Sequence, residues 1–101
     1  MDITTLISDA KARFSHNSAK AYLKDKYDSK LIVADQGGLW KANLTTIAFL
    51  NAFDDDNIIV IDTFDNPVQV NRAQLLTLLT DTYNTVMLAW YKEWKELEGK
   101  R

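Results

Sequence analysis

The stretch N-R-A-Q-L-L-T-L-L-T-D-T-Y-N-T-V-M-L-A-W-Y-K-E-W-K-E-L-E, residues 71–98, decides how this chain folds. Leu76, Leu79, Tyr83, Val86, Trp90, Trp94 and Leu97 recur along it at three- and four-residue steps. That spacing draws one apolar stripe down an amphipathic helix. Asn71 is placed to cap the helix, with Gln74 at the capping-box position three residues on. Roughly 27 residues at about 1.5 Å each give about 40 Å, longer than a compact domain of this size is wide. Something beyond the chain's own core is therefore expected to cover part of the stripe. The stripe is near-heptad from Leu76 to Trp90 and slips by one at Trp94, which argues against a long regular coiled coil.

Upstream of the helix, Val68-Gln69-Val70 alternates as a half-exposed strand, and Phe64-Asp65-Asn66-Pro67 reads as the turn before it. Ile58-Ile59-Val60-Ile61 is apolar at every position. It is expected as a central strand covered on both faces, or packed at an oligomer contact. Asn43 is a good N-cap for a helix over 44–53 whose Leu44, Ile47, Ala48, Leu50 and Phe53 face a core. Asp54, Asp55 and Asp56 end that helix, where acids oppose its dipole. Further back, Leu31 to Ala34 is β-prone, Asp35-Gln36-Gly37-Gly38 supplies the Gly-Gly that a tight hairpin needs for positive φ, and Leu39 to Ala42 is the return strand.

Residues 31–43 and 58–71 thus share a scheme of strand, Asp, turn, short strand and Asn cap. Two such units can join into one four-stranded antiparallel sheet with helices on a face. Residues 3–14 read as a helix with Ile3, Leu6, Ile7, Ala10 and Phe14 on one side. Ser15-His16-Asn17-Ser18 interrupts it with residues that favour caps and turns. A second helical piece over 18–27 follows, with Ala19, Tyr22, Leu23 and Tyr27 inward, unless the two are one bent helix. The fold class is α+β: a small antiparallel sheet of about four strands in two hairpins, helices on one face, and a long C-terminal helix.

At 101 residues the chain is expected to be a single domain over 1–101. Its hydrophobic fraction of 47% and charged fraction of 26% are ordinary for a globular protein. Net charge is −2, and residues 31–81 hold seven Asp against two Lys/Arg. That acidic middle speaks against a nucleic-acid partner, which needs a basic face. The absence of cysteine excludes disulfides and thiolate chemistry. No apolar run approaches a membrane span and no signal-peptide pattern opens the sequence, so the expected location is the cytoplasm, or a larger particle that carries the protein out.

Chemical motifs are sparse. Gly37-Gly38 lacks the Lys and helix of a phosphate loop, and His16 is the one imidazole, set among polar residues. The run Asp54-Asp55-Asp56 does not follow the order of a calcium loop. Asp35 and Asp62 hold like positions in the two units, as turn-fixing residues or as a carboxylate pair for acid–base work. No cofactor and no metal is expected. The aromatics Trp90, Tyr91 and Trp94 crowd two turns of the last helix, either as core against the sheet or as a partner contact.

W-K-A-N-L-T-T-I-A-F-L-N-A-F (40–53), I-V-I-D-T-F-D-N-P-V-Q-V-N-R-A-Q-L-L-T-L-L (59–79) and A-W-Y-K-E-W-K-E-L (89–97) together resemble a small uncharacterised domain family of tailed phages. The resemblance covers about residues 31–98 and rests on Trp40, Asn43, Leu50, Asp65, Asn66, Val70, Gln74, Leu75, Trp90, Tyr91 and Leu97. It implies a protein found in or beside tail and tail-fibre assembly proteins, acting in the host cytoplasm or associated with the virion.

The first functional expectation is a non-enzymatic assembly factor or minor structural component that works by protein contact. Its contact surface is Tyr83, Val86, Met87, Trp90, Tyr91, Trp94 and Leu97, set against a protein partner or a second copy in a homodimer. The alternative is a small acidic inhibitor or adaptor that docks on a host protein through Asp54, Asp55, Asp56, Asp62 and Asp65. An enzyme ranks third, since no base, nucleophile and ligand set comes together in the sequence.

Overall fold

The computed structural model describes residues 3–99, with side chains from residue 16 to residue 99. The order is α1 (Ile3–Lys30), β1 (Ile32–Asp35), β2 (Gly38–Lys41), α2 (Leu44–Asn51), β3 (Asn57–Ile61), β4 (Pro67–Asn71) and α3 (Arg72–Gly99). The α+β class, the four strands in two hairpins and the long C-terminal helix are all present.

In the first hairpin, Asp35 pairs with Gly38, leaving Gln36 and Gly37 as a two-residue loop. Their φ values of 52° and 82° give both central residues the positive φ of a type I′ turn, whose twist matches the strands. Glycine suits this conformation; glutamine is held in it by its side chain. Gln36 Oε1 accepts from the Asn71 backbone N–H at 2.7 Å, and Nε2 donates to the Asn71 carbonyl at 3.3 Å. The buried Trp40 donates its indole N–H to the Asp35 carbonyl at 2.8 Å and lies across Gly38. A Cβ on Gly38 would come within 2.4 Å of Trp40 Cζ2.

The second hairpin sets Ile58 opposite Val70 and Val60 opposite Val68 on its inner face. Ile59 and Ile61 point the other way and are 69% and 57% exposed. Of the two expectations for this strand, cover on both faces by the chain itself does not hold, because among the described residues no second layer lies over Ile59 and Ile61. Asp62 organises the turn after β3. Its Oδ1 accepts from the N–H groups of Asn66 at 3.0 Å and Phe64 at 2.9 Å, and its Oδ2 from that of Leu39 at 3.2 Å. The Asn66 bond leads the two others in holding the Asp62 carboxyl below the usual aspartate range, against the effect of burial.

The hairpins do not merge into one ladder; they form two separate two-stranded sheets. The Thr63 N–H donates to the Leu39 carbonyl at 3.0 Å, and with the Asp62–Leu39 bond this ties the second turn to β2, while Gln36 joins the first turn to Asn71 at the other end of β4.

α1 runs without interruption, so the single-helix alternative for the N-terminal region holds. The polar residues around His16 stay helical, with His16 Nε2 3.2 Å from Glu98 Oε1. Leu23 and Tyr27 are buried as expected, whereas Tyr22 is exposed, a quarter turn off the seam with α3. The apolar face read for Ile3, Leu6, Ile7, Ala10 and Phe14 lies outside the described side chains.

α2 is capped by Asn43, whose Oδ1 accepts from the Thr46 N–H at 2.9 Å. Leu50 is fully buried, while Leu44, Ala48 and Phe53 are exposed, because only one side of this short helix lies against α3. The three acids begin at the third residue past its end, Asn51. Arg72 reaches back from α3, donating through Nη1 to the Leu50 carbonyl at 3.3 Å and through Nε to the Asp55 carbonyl at 2.9 Å. Its charge thus sits where the helix dipole favours a cation.

Asn71 caps α3, its Oδ1 accepting from the Gln74 N–H at 3.0 Å. The return bond of a capping box comes from Gln36 rather than Gln74. The first half of α3 packs on α2 and β4, and its second half on α1. Leu50, Val70, Leu75 and Leu79 form the best-buried part of a core that Leu23, Tyr27, Leu31, Trp40, Ala42, Val60 and Val86 complete. The molecule measures 65 × 24 × 20 Å with a radius of gyration of 19.3 Å. A compact domain of about 100 residues would have roughly 13 Å.

Two expectations follow. Gly38→Ala should lower the urea-derived unfolding free energy by about 1–3 kcal/mol, since a well-packed ring must move. Asp62→Asn should lower the melting temperature at neutral pH. A depressed folded pKa stabilises above the ordinary aspartate value of about 3.9 and stops doing so as pH falls through the folded value. The gap between Asp62→Asn and wild type in thermal scans should therefore narrow below that pH.

Candidate protein-contact site

The second half of α3 lies antiparallel to α1, which places Trp90 against Tyr27 and Glu98 against His16. The Tyr27 and Trp90 rings stack with centroids 6.1 Å apart and planes 10° from parallel. Beside them Glu93 accepts from Lys26 Nζ at 2.7 Å and from the Tyr27 hydroxyl at the same oxygen. The ammonium groups of Lys26 and Lys30 also lie 5.1 and 5.0 Å from the Tyr27 ring centre. The bond from Lys26, then that from Tyr27, holds the Glu93 carboxyl below the usual glutamate range. The same carboxylate raises Lys26 and Tyr27. These groups are partly open to water, so the cluster sets register more than it adds stability.

One side of this seam carries the aromatics outward. Met87, Trp90, Tyr91 and Trp94 line an open depression of about 340 Å³. Tyr91 and Trp94 stack at 6.1 Å and 21°, and Lys95 Nζ sits 5.5 Å from the Tyr91 ring centre. Tyr91 is 56% exposed and Trp94 37%, with Leu88 beside them at 72%. The result is a shelf of three large side chains held by a rigid helix, the type of surface from which interface anchors are drawn.

Of the seven α3 residues named from the sequence as a contact surface, the structure brings together four: Met87, Trp90, Tyr91 and Trp94. Val86 is buried, and Tyr83 and Leu97, which pack against the core as Met87 and Trp90 also do, lie outside the depression. Leu88 was not named; at i+3 from it, Tyr91 gave the signal that could have found it.

The acidic set does not form one surface. Asp54, Asp55 and Asp56 are exposed ahead of β3, Asp65 is exposed at the turn beyond it with φ 63°, and Asp62 is buried with its carboxylate taken up by backbone N–H groups. The five residues of β3 keep the two ends about 17 Å apart. Asp35 likewise serves its own turn, accepting from Gln36 Nε2 at 3.1 Å.

A second feature escaped the sequence reading. Phe49, Ile59 and Ile61, with Trp40, Lys41 and Val60, border a groove of about 480 Å³ between α2 and the two hairpins. The four-residue apolar run of β3 was its only signal. Among the described residues there is no cluster of three His, Asp or Glu able to hold a metal ion, and no helix long and apolar enough to cross a membrane. Comparison with protein-family models, curated proteins and solved structures returns no match for this chain.

The Glu93 cluster sets a pH window for the helix pair. Its carboxylate stabilises above about pH 4.3 and stops doing so as pH falls through its lower folded pKa. Lys26 and Tyr27 contribute fully below about pH 10 and lose that contribution as pH rises through their raised values. Glu93→Gln should lower the melting temperature at pH 7. That deficit should shrink toward pH 3, as thermal scans by circular dichroism would read.

Proposed function

We propose that this protein acts by protein–protein contact rather than by catalysis, and that the α3 shelf is the contact. The observation that carries the reading is the pairing of Tyr91 and Trp94, stacked and exposed beside Leu88 on a helix whose opposite side is committed to α1. Large aromatics on a rigid element lose little conformational entropy on binding, so they suit a docking surface. The elongated shape supports the same reading, since it presents the helix pair to a neighbour along its length.

The resemblance of residues 31–98 to the tailed-phage domain family gives the setting. In it the protein is a tail or tail-fibre assembly factor or a minor tail component, working in the host cytoplasm and able to remain with the virion. Its partner is a fibre segment or a second copy of itself; an isologous pairing through the shelf is the simplest form of the latter.

Tyr91→Ser/Trp94→Ser is the informative variant, because both side chains are outside the buried core, whereas Trp90 supports Tyr27. Coexpressed with the tail-fibre protein of the same genome, the wild type should raise the yield of assembled fibre, and the variant should lose about tenfold or more of that binding while keeping its circular dichroism spectrum. Light scattering on the isolated proteins separates a second copy from a fibre segment. A wild type that neither assembles with itself nor affects the fibre would overturn the proposal.

A further inference from the structure

The groove between the hairpins lies at the other end of the molecule, about 20–30 Å along α3 from the shelf. Ile59, Val60 and Ile61 all border it. Consecutive strand residues point to opposite faces, so three in a row can line one groove only where it runs along the edge of the strand. That edge is the one β4 does not occupy. Among the described residues, no backbone hydrogen bond outside the β3–β4 ladder involves residues 57–61. Trp40 and Lys41, consecutive in β2, border the groove from the facing hairpin, and Phe49 of α2 lies along it.

The groove is bounded at one end by the Thr63–Leu39 bond, and β3 lines it from Ile59 to Ile61. Bare strand edges invite pairing, and proteins usually protect them with a lysine, a proline or a bulge. Ile58 to Ile61 carries none of these, and its outward side chains are exposed isoleucines. Unpaired backbone groups beside an apolar channel select an extended polypeptide over a helix or a small apolar molecule.

We propose that the free edge of β3 accepts an extended segment of a partner protein as an added strand. Alternate apolar side chains of the segment enter the groove against Phe49, Ile59 and Ile61. Basic residues of the segment, where it runs on past the start of β3, meet Asp54, Asp55 and Asp56, which are exposed immediately before that strand. A second copy of this chain fits less well. Antiparallel pairing of two β3 edges would bring the acids of one copy toward Asp65 of the other, and like charges there repel.

The test is a displayed library of short random peptides selected on the wild-type protein and counter-selected on Ile59→Lys/Ile61→Lys. Both positions are exposed, so that variant should keep its fold, checked by circular dichroism. Selected peptides should alternate apolar residues and carry Lys or Arg at one end. Their affinity should fall about tenfold or more on Ile59→Lys/Ile61→Lys and with backbone N-methylation, and should stay unchanged on Tyr91→Ser/Trp94→Ser. The last arm separates failure here from failure of the shelf. Three results would each overturn the proposal: no enrichment over the counter-selected protein, binding that survives N-methylation, or a wild-type dimer that Ile59→Lys/Ile61→Lys converts to monomer.

Discussion

The packing of α3 against three different neighbours is the constraint on which the rest depends. α2 and β4 share its first half and α1 takes its second. Leu75 and Leu79 have no exposed surface, on the half of the helix that packs against α2 and β4, while Trp90 belongs to the α1 seam. Without that helix, the hairpins would be two-stranded units that rarely persist alone in water. A 65 Å molecule built this way has a thin core along one spine rather than a central mass. Apolar residues on the sides that the spine does not reach stay exposed.

That geometry explains where the sequence was legible. The caps at Asn43 and Asn71 and the extent of α3 follow from local rules and are readable, whereas the hairpin loop falls at Gln36-Gly37, one residue before the Gly-Gly pair that the sequence suggests. Which face of each element is covered depends on a neighbour chosen by the tertiary fold. Tyr22 reads as inward by helical spacing yet points to water, as does Leu44 on α2, and Phe53 lies past the end of that helix and is exposed as well. Ile59 and Ile61 read as doubly buried because an unbroken apolar run has no polar face to mark its outside. Leu75, the neighbour of Leu76, shares the buried face with Leu79 and Val86, all within about 40° round the helix.

The site was legible in part for the same reason. Trp90, Tyr91 and Trp94 announced themselves by type and spacing, and Met87 belongs with them. Val86 could not be told from Met87 by sequence, since adjacent helical positions differ by about a quarter turn and only the placement of α1 decides between them. Asp62 reads from the sequence as a turn-fixing residue and also as one acid of a docking surface. The first reading holds, since its two oxygens take three backbone N–H groups from two hairpins.

The tie between Tyr27 and Glu93 spans 66 residues of chain, whereas the hairpin at Gln36-Gly37 closes over two. Loop-closure entropy rises with the logarithm of length, so the first helix–helix contact costs about 2–3 kcal/mol more to bring together than a hairpin turn. Once Tyr27, Trp90 and Glu93 have met, each further contact toward His16 and Glu98 closes only another helical turn. Assembly of the pair is thus a zipper that starts beside the hairpins and runs outward. Its slow step lies at the base, and its far tip is the last part to form and the first to fray.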